Sequence, residues 1–221
     1  MGVIVINGSP RAAGTTAELL HGLETKLNKQ GIEVEYVDLG RIEMAHCKGC
    51  STCYRTGHCP IRDDAEALSD RIRKADGVVL GSPTYASNVS GLMKDLIDRG
   101  HFVIEQSLHG KPCITVTTGE NYGNKDARKV LDRLVLYSGG HICAKMAVKT
   151  PFRDADKERK RVEKASNKMR KALLGKKCFP WQSMIHFIVF HFGIRPFVMK
   201  QGERYQGVRG VWKEMGIDVY R

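Results

Sequence analysis

The chain of 221 residues contains 42% hydrophobic and 27% charged residues, values that are ordinary for a globular protein. They exclude a disordered chain, a collagen-like repeat and a small disulfide-stapled scaffold. The net charge is +12, and all of it arises in the last third: residues 1–144 contain 17 basic and 17 acidic residues, whereas residues 145–221 contain 19 and 7. A charge-balanced body with a basic end does not favour nucleic acid as a partner.

Strand-length apolar runs and helical periodicity alternate along the first 148 residues. The predicted strands are Val3–Asn7, Glu33–Asp38, Gly77–Leu80, Cys113–Thr118 and His141–Val148. The predicted helices between them are Thr15–Lys29, Ala65–Lys74, Ser90–Arg99 and Lys125–Tyr137. This alternation predicts an α/β protein with a doubly wound parallel sheet, in a three-layer α/β/α sandwich.

The chain continues with a basic helical C-terminal extension. A long basic helix is predicted over Asp154–Leu174, and Gly175 suits its end. Beyond it the alternation stops, and apolar residues recur at helical spacing between residues 181 and 199. We expect this part to pack on the core or on a partner subunit. Peripheral contact with an anionic membrane is a less favoured alternative.

The sequence also bears on the cellular compartment. The N-terminus reads as a buried strand rather than as an export signal. The longest apolar stretch, Met184–Met199, is interrupted by polar residues and falls short of the ~20 residues that span a bilayer. Seven cysteines then indicate a reducing compartment, in which thiols bind metals or react rather than pair. We expect a cytoplasmic protein.

The first loop with a chemical signature separates the first predicted strand and helix. It reads Gly-Ser-Pro-Arg-Ala-Ala-Gly-Thr-Thr over residues 8–16. Ligands of a doubly wound sheet bind outside the carboxyl ends of the strands, where backbone N–H groups and a helix N-terminus favour an anion. Arg11 adds a cation suited to phosphate. The loop matches neither Gly-x-Gly-x-x-Gly nor a Walker A motif, and a plain polar turn capped by Thr15 is the alternative.

Two further polar loops follow later strands and share the same edge of the predicted sheet. They occupy residues 81–91 and 117–123. Tyr85 in the first offers a face for stacking, and its neighbours offer hydrogen bonds to a planar heterocycle. Together the three loops predict a cleft for a phosphate-bearing aromatic cofactor.

A run of four cysteines is the sharpest motif of the chain. Cys47, Cys50, Cys53 and Cys59 are spaced C-x2-C-x2-C-x5-C and are followed by a proline. This is close to the bacterial ferredoxin run that ligates iron–sulfur clusters. Zinc also takes four thiolates, usually as two separated pairs, and thiols without metal beside a redox cofactor are a third interpretation. The residues alone leave all three open.

Taken together, these motifs resemble the flavodoxin-like NAD(P)H-dependent FMN reductases, and specifically their iron–sulfur flavoprotein branch. The resemblance is carried by the loop at residues 8–16, by the cysteine run with Asp63 and Asp64 after it, and by the stretch from Ser82 to Arg99. It covers about residues 1–150 in order. It implies a flavodoxin-like FMN-binding domain over residues 1–175, with a cysteine-rich loop at 47–59 and an extension over 176–221.

The resemblance also implies which residues bind the cofactors. The FMN phosphate would be held by Ser9, Arg11, Thr15 and Thr16. The isoalloxazine ring would lie along Pro83, Thr84, Tyr85, Asn88 and Val89, and the pocket would be completed by Thr118, Gly119 and Tyr122. A 4Fe-4S iron–sulfur cluster would be ligated by Cys47, Cys50, Cys53 and Cys59.

The implied function is FMN-dependent electron transfer, with NAD(P)H or a donor protein as reductant and with electrons passing between FMN and the cluster. Because the cofactor would perform the chemistry, we assign no general acid or base. The resemblance implies a homo-oligomer, either a dimer or a tetramer. One alternative is a cluster-free NAD(P)H:flavin or quinone reductase. Another, of a different class, is a non-enzymatic electron carrier or redox sensor whose basic tail binds a partner.

Overall fold

A computed structural model describes residues 1–217 of the chain. Its strands are β1 (Gly2–Asn7), β2 (Glu33–Asp38), β3 (Gly77–Tyr85), β4 (Asn88–Val89), β5 (Pro112–Gly119) and β6 (His141–Lys149). Its α-helices are α1 (Thr15–Lys29), α2 (Thr52–Thr56), α3 (Asp64–Lys74), α4 (Gly91–Arg99), α5 (Phe102–Glu105), α6 (Asn124–Tyr137), α7 (Ala155–Leu173), α8 (Pro180–Val189), α9 (Arg195–Lys200) and α10 (Gln206–Glu214).

The long strands form a parallel sheet in the order β2-β1-β3-β5-β6, and β4 pairs antiparallel with the end of β3. Helices cover both faces, so the strands are apolar on both sides. Ile4 and Ile6 of β1 belong to one core, whereas Val3 and Val5 belong to the other, which α1 and α7 cover. The predicted doubly wound three-layer sandwich is confirmed, and β6 forms one edge of its sheet.

β3 is longer than the sequence predicts. The prediction ends this strand at Leu80, but the observed strand continues to Tyr85. Ser82 and Pro83 still align with β5, and the last two residues of β3 pair with β4. These residues have the Ser, Pro and Thr content of a loop, but they adopt a strand conformation because they pair with neighbouring strands.

The C-terminal extension forms a third hydrophobic core against the sandwich. α8 runs through a π-helical turn into α9, and α10 packs against α2 and α5. Trp212 of α10 is fully buried, and its indole N–H donates to the carbonyl oxygen of Ile104 over 2.9 Å. The extension thus packs on the body of the chain, while residues 218–221 lie outside the described residues. None of the helices within residues 1–217 is both long and apolar enough to cross a membrane.

Candidate functional site

A cleft of about 320 Å³ opens at the carboxyl ends of β1, β3 and β5. The loops that follow these three strands line it, together with Thr150 after β6. In this strand order the crevice between β1 and β3 is where doubly wound folds bind ligands. The sequence prediction that the three polar loops meet is therefore confirmed.

The loop at residues 8–16 forms the anion-binding end of the cleft. Gly14 precedes α1 with an extended backbone, and no side chain of the described chain caps this helix. The first N–H groups of a helix have no intrahelical partner, so those of α1 are available to a ligand. Arg11 is exposed beside them. An uncapped helix N-terminus with an adjacent guanidinium suits a phosphate group.

Hydrogen bonds join the loops after β1 and β3 into one floor. The hydroxyl of Ser90 donates to the carbonyl oxygen of Gly8 over 2.6 Å and accepts from the backbone N–H of Met93 at the start of α4. The N–H of Gly8 in turn donates to the carbonyl oxygen of Gly81 over 2.8 Å. These hydrogen bonds hold the loops after β1 and β3 together at the floor of the cleft.

Two tyrosines stand at the mouth of the cleft. Tyr85 is 46% exposed and Tyr122 is 78% exposed. Between their loops the backbones approach closely, because a Cβ atom on Gly123 would lie 2.3 Å from the hydroxyl oxygen of Ser87. Gly123 also has a φ of +80°, which favours glycine. Exposed aromatic faces beside a narrow polar floor suit a planar heterocycle.

A pair of buried hydroxyls closes the inner wall. The side-chain oxygens of Thr16 on α1 and Thr118 on β5 lie 2.7 Å apart. Ser9 is also buried, and its hydroxyl accepts from the N–H of Arg11 over 3.1 Å. These polar groups point to a ligand that needs hydrogen bonds as well as apolar contact.

Ten of the twelve residues predicted for the flavin line this cleft. They are Ser9, Arg11, Thr15, Thr16, Pro83, Thr84, Tyr85, Thr118, Gly119 and Tyr122. The structure places Asn88 and Val89 outside the lining. Val89 is 6% exposed and packs in the core, and the Asn88 side chain accepts from the N–H of Val89. The β3–β4 hairpin accounts for both, since it turns these residues away from the cleft.

Six lining residues were missed by the site assignment. They are Gly14, Ala86, Ser87, Glu120, Asn121 and Thr150. The first five lie inside the loops that the sequence singled out, and Thr150 follows a predicted strand. Ala86 and Ser87 have left-handed backbones, with φ of +47° and +62°, for which Ala and Ser give no sequence signal. Among the lining residues that the structure describes, Glu120 is the acidic one and Arg11 the basic one.

The four predicted ligand cysteines lie on one segment beside α4, which we call the cysteine segment (residues 45–61). Cys47 and Cys50 are exposed, Cys59 is half-buried, and Cys53 on α2 is buried. Within residues 1–217 no three Cys, His, Asp or Glu side chains meet in the arrangement of a metal site. The donor chemistry is that of a four-thiolate site, but the thiols are not gathered, so their role as ligands stays a prediction.

A buried ion pair holds both ends of the cysteine segment. Arg99, which is 2% exposed, donates to the two carboxylate oxygens of Asp63 over 2.7 and 2.8 Å. The same guanidinium donates to the carbonyl oxygens of Ala45 over 2.6 Å and of Ile61. Burial alone would raise the pKa of Asp63, but hydrogen bonds from Arg99 and from backbone N–H groups outweigh it and lower that pKa. The pair therefore stays ionised and closes the segment into a loop.

A second buried group lies beside Cys53. The carboxylate of Glu105 pairs with Arg73 over 2.8 Å and with the imidazole of His101 over 3.2 Å. Burial would lower the pKa of His101, but hydrogen bonds to the Cys53 sulfur and to Glu105 raise it to about 10. Cys53 thus lies beside a histidine that carries a positive charge.

Comparison with known proteins places these features in a family. Residues 1–172 match the NADPH-dependent FMN reductase family. The chain is 38% identical to an iron–sulfur flavoprotein of Clostridioides difficile, over 97% of this chain and 99% of that protein. It is 41% identical to an iron–sulfur flavoprotein of Methanocaldococcus jannaschii, over 45% of this chain and 51% of that one.

Solved structures show the same fold. A flavone reductase aligns with a TM-score of 0.61 at 17% identity, over 79% of this chain and 62% of that one. A flavodoxin of Streptococcus pneumonia aligns with a TM-score of 0.55 at 16% identity, over 76% and 97%. The sandwich is therefore flavodoxin-like. From the family match, the protein is an FMN-dependent oxidoreductase, and the chain belongs to the NADPH-dependent FMN reductase family.

Proposed function

We propose that the cleft binds FMN, with its phosphate at the loop of residues 8–16 and its ring at the tyrosines of the mouth, and that NADPH is the reductant. One observation supports this proposal: an uncapped helix N-terminus, a cation and exposed aromatic faces lie in the same cleft. Bound FMN supplies the redox chemistry, and the protein contributes binding and orientation.

Residues at different positions in the cleft bind different parts of FMN. Arg11 and the first turn of α1 neutralise and orient the phosphate. Thr16 and Thr118, both buried, offer hydroxyls at the inner wall. Tyr85 and Tyr122 cover the ring from the mouth. Glu120 supplies the negative charge of the lining and disfavours a second anionic group at that position.

The phosphate role of Arg11 is tested by comparing FMN with riboflavin, which lacks the phosphate. We expect Arg11→Ala to weaken FMN binding by about 10- to 100-fold, the range for a charge-assisted hydrogen bond, and to leave riboflavin binding unchanged. The measurement is quenching of flavin fluorescence by the apoprotein. Arg41→Ala is the control, because Arg41 follows β2 outside the cleft lining. Equal losses for both flavins would contradict the phosphate assignment.

We also propose that Cys47, Cys50, Cys53 and Cys59 ligate a 4Fe-4S cluster. The spacing of the cysteines and the similarity to iron–sulfur flavoproteins support this. The test is iron and acid-labile sulfide per chain after anaerobic purification, with each cysteine replaced by serine and Cys178→Ser, an exposed thiol outside the segment, as the control. Zinc without sulfide would indicate a zinc site. Absence of metal would favour the cluster-free NAD(P)H:flavin or quinone reductase.

Turnover separates an enzyme from a carrier. A reductase oxidises NADPH at a steady rate when an acceptor is supplied, whereas an electron carrier or redox sensor shows negligible NADPH oxidation. We propose the cytoplasm as the compartment, because none of the seven cysteines, all of which lie within residues 1–217, forms a disulfide.

We propose a homo-oligomer as the assembled state. Trp181, Phe187 and Phe192 of the extension are between 53% and 76% exposed, and an exposed aromatic patch of this kind marks a contact surface. Light scattering on the wild type and on Phe192→Ser tests it. A monomeric wild type would exclude the proposal, and loss of the oligomer in the variant would support it.

A further inference from the structure

A basic groove runs between β6, the edge strand of the sheet, and α7. Ala144 to Ala147 of β6 form its floor, and Arg161, Lys164 and Lys168 of α7 form its wall. The groove has a volume of about 260 Å³. It lies apart from the cofactor cleft and from the cysteine segment.

The wall belongs to a longer stripe of cations on α7. Lys157, Arg161, Lys164, Lys168 and Lys171 recur at intervals of four, three, four and three residues, which places them along one side of a helix. Within the part of the chain that the structure describes, none of the five forms an ion pair. The positive charge of this stripe is therefore available to a partner.

The acidic residues of α7 are engaged elsewhere. Glu163 pairs with Lys26 of α1 over 3.5 Å, and Glu158 pairs with Arg153 over 2.9 Å. Asp156 pairs with Arg159. Along β6, Lys145 pairs with Asp132 of α6 over 3.1 Å and keeps about half of its side chain exposed. The groove thus keeps a strong net positive charge.

The edge of β6 is covered only at its beginning. The side chain of Gln182 bonds both backbone groups of Ile142, over 2.7 and 3.1 Å, and the ammonium group of Lys177 donates to the carbonyl oxygen of Cys143. From Ala144 onward, no strand within residues 1–217 lies on the outer side of β6. An edge strand presents unpaired N–H and C=O groups to any extended chain beside it.

We propose that this groove binds an extended acidic segment of a partner protein, which adds a strand to β6. The alternating donors and acceptors of the edge match a peptide backbone, and the cations of α7 match its carboxylates. A second copy of this chain would bring the same positive charge to the groove, which disfavours self-pairing. Nucleic acid would satisfy the cations but leave the strand edge unpaired.

The groove leads toward the cofactor cleft. Thr150, which lines the cleft, follows Ala147 by three residues, a span of about 10 Å along an extended chain. A protein docked on β6 is thereby held beside the cleft mouth. Docking on β6 does not depend on which cofactor the cleft binds.

The probe is a fluorescein-labelled eight-residue peptide of alternating Glu and Thr, measured by anisotropy with the purified full-length protein at low and high salt. We expect salt-sensitive binding that Arg161→Glu with Lys164→Glu weakens at least tenfold. Lys29→Glu with Arg170→Glu is the matched control, because it makes the same charge change at exposed residues outside the groove and is expected to alter binding less than twofold.

A second peptide isolates the strand pairing. N-methylation of every backbone amide in the same sequence removes the donors of both strand edges without changing charge, and we expect it to abolish binding. Equal binding of the methylated peptide, tighter binding of an oligonucleotide of equal charge, or equal losses in the two double variants would overturn the proposal. FMN content and NADPH oxidation of both variants are expected to match the wild type, so a failure here is distinguishable from a failure of the cleft assignment.

Discussion

The cofactor cleft and the cysteine segment are held in shape by different kinds of contact. The cleft is built from loops that each follow a strand, and hydrogen bonds such as that from Ser90 to Gly8 join them directly. The cysteine segment has little regular structure of its own, and side chains from other elements hold it. The shape of the cleft therefore follows from the sheet, whereas that of the cysteine segment depends on distant packing.

The C-terminal extension is part of that packing. Tyr54, next to Cys53, stacks on Tyr205 of the extension with ring centroids 4.9 Å apart. Gly207 of α10 meets the backbone of Gly57 at the end of α2 so closely that a Cβ atom on Gly207 would lie 2.1 Å from the Gly57 nitrogen. A segment that carries no redox motif therefore packs against α2, the helix that carries the buried thiol of Cys53.

The largest expected effect comes from breaking the buried ion pair at the base of the cysteine segment. Arg99→Leu leaves Asp63 buried without its partner, and we expect it to lower the free energy of unfolding by about 3–5 kcal/mol. Urea denaturation measures this. Lys94→Leu on the same helix is the control, because the Lys94–Asp98 pair is exposed and is worth less than about 1 kcal/mol. Similar losses in the two variants would contradict the role of Arg99.

A smaller effect is expected from separating α10 from α2. Gly207→Ala inserts a methyl group against the Gly57 backbone, so we expect the rate of maleimide labelling of Cys53 in the metal-free protein to rise at least tenfold, with FMN affinity unchanged. Gly210→Ala on the same helix is the matched control, because a Cβ atom there meets nothing within 4 Å, and alanine favours a helix. Peptide mapping by mass spectrometry identifies the labelled thiol. Unchanged labelling of Gly207→Ala would show that the contact does not shield Cys53.

The smallest effect concerns the attachment of α8 and its dependence on pH. Burial, together with His109, His141 and His191, lowers the pKa of His186 to about 4. Its Nε2 atom lies 2.6 Å from the side-chain oxygen of Gln106, so the neutral ring donates there. As the pH falls, His186 is protonated in the unfolded chain before it is protonated in the folded chain. The contribution of its neutral ring to the free energy of unfolding is therefore present above the unfolded pKa of 6.5 and is lost as the pH falls toward 4.

We therefore expect the wild type to lose roughly 1 kcal/mol more than His186→Gln between pH 7 and pH 5. Glutamine retains a hydrogen-bond donor but does not titrate in this range. Denaturant midpoints at the two pH values give the comparison. A parallel loss in both proteins would assign the acid sensitivity to other groups.

Patterns in the amino-acid sequence are enough to predict the sandwich and the location of the cleft. Hydrophobic periodicity marks each long strand and helix, and parallel strands bring their carboxyl ends to one edge of the sheet. For this reason the sequence alone assigns Arg11, Tyr85 and Tyr122 to one cleft. These inferences rest on local patterns, which are visible in a single chain.

Three features depend on tertiary packing. They are the direction in which the β3–β4 hairpin turns Asn88 and Val89, the burial of Cys53, and the contact of the extension with α2. These outcomes depend on contacts between residues far apart in the chain, such as Tyr54 with Tyr205 and Gly57 with Gly207. Such contacts leave no periodic signal in the sequence, because each rests on the close approach of two elements. The placement of the basic charge in the last third also depends on the fold. The sequence gives the number of basic residues, but only the fold shows that Arg161, Lys164 and Lys168 face an open strand edge.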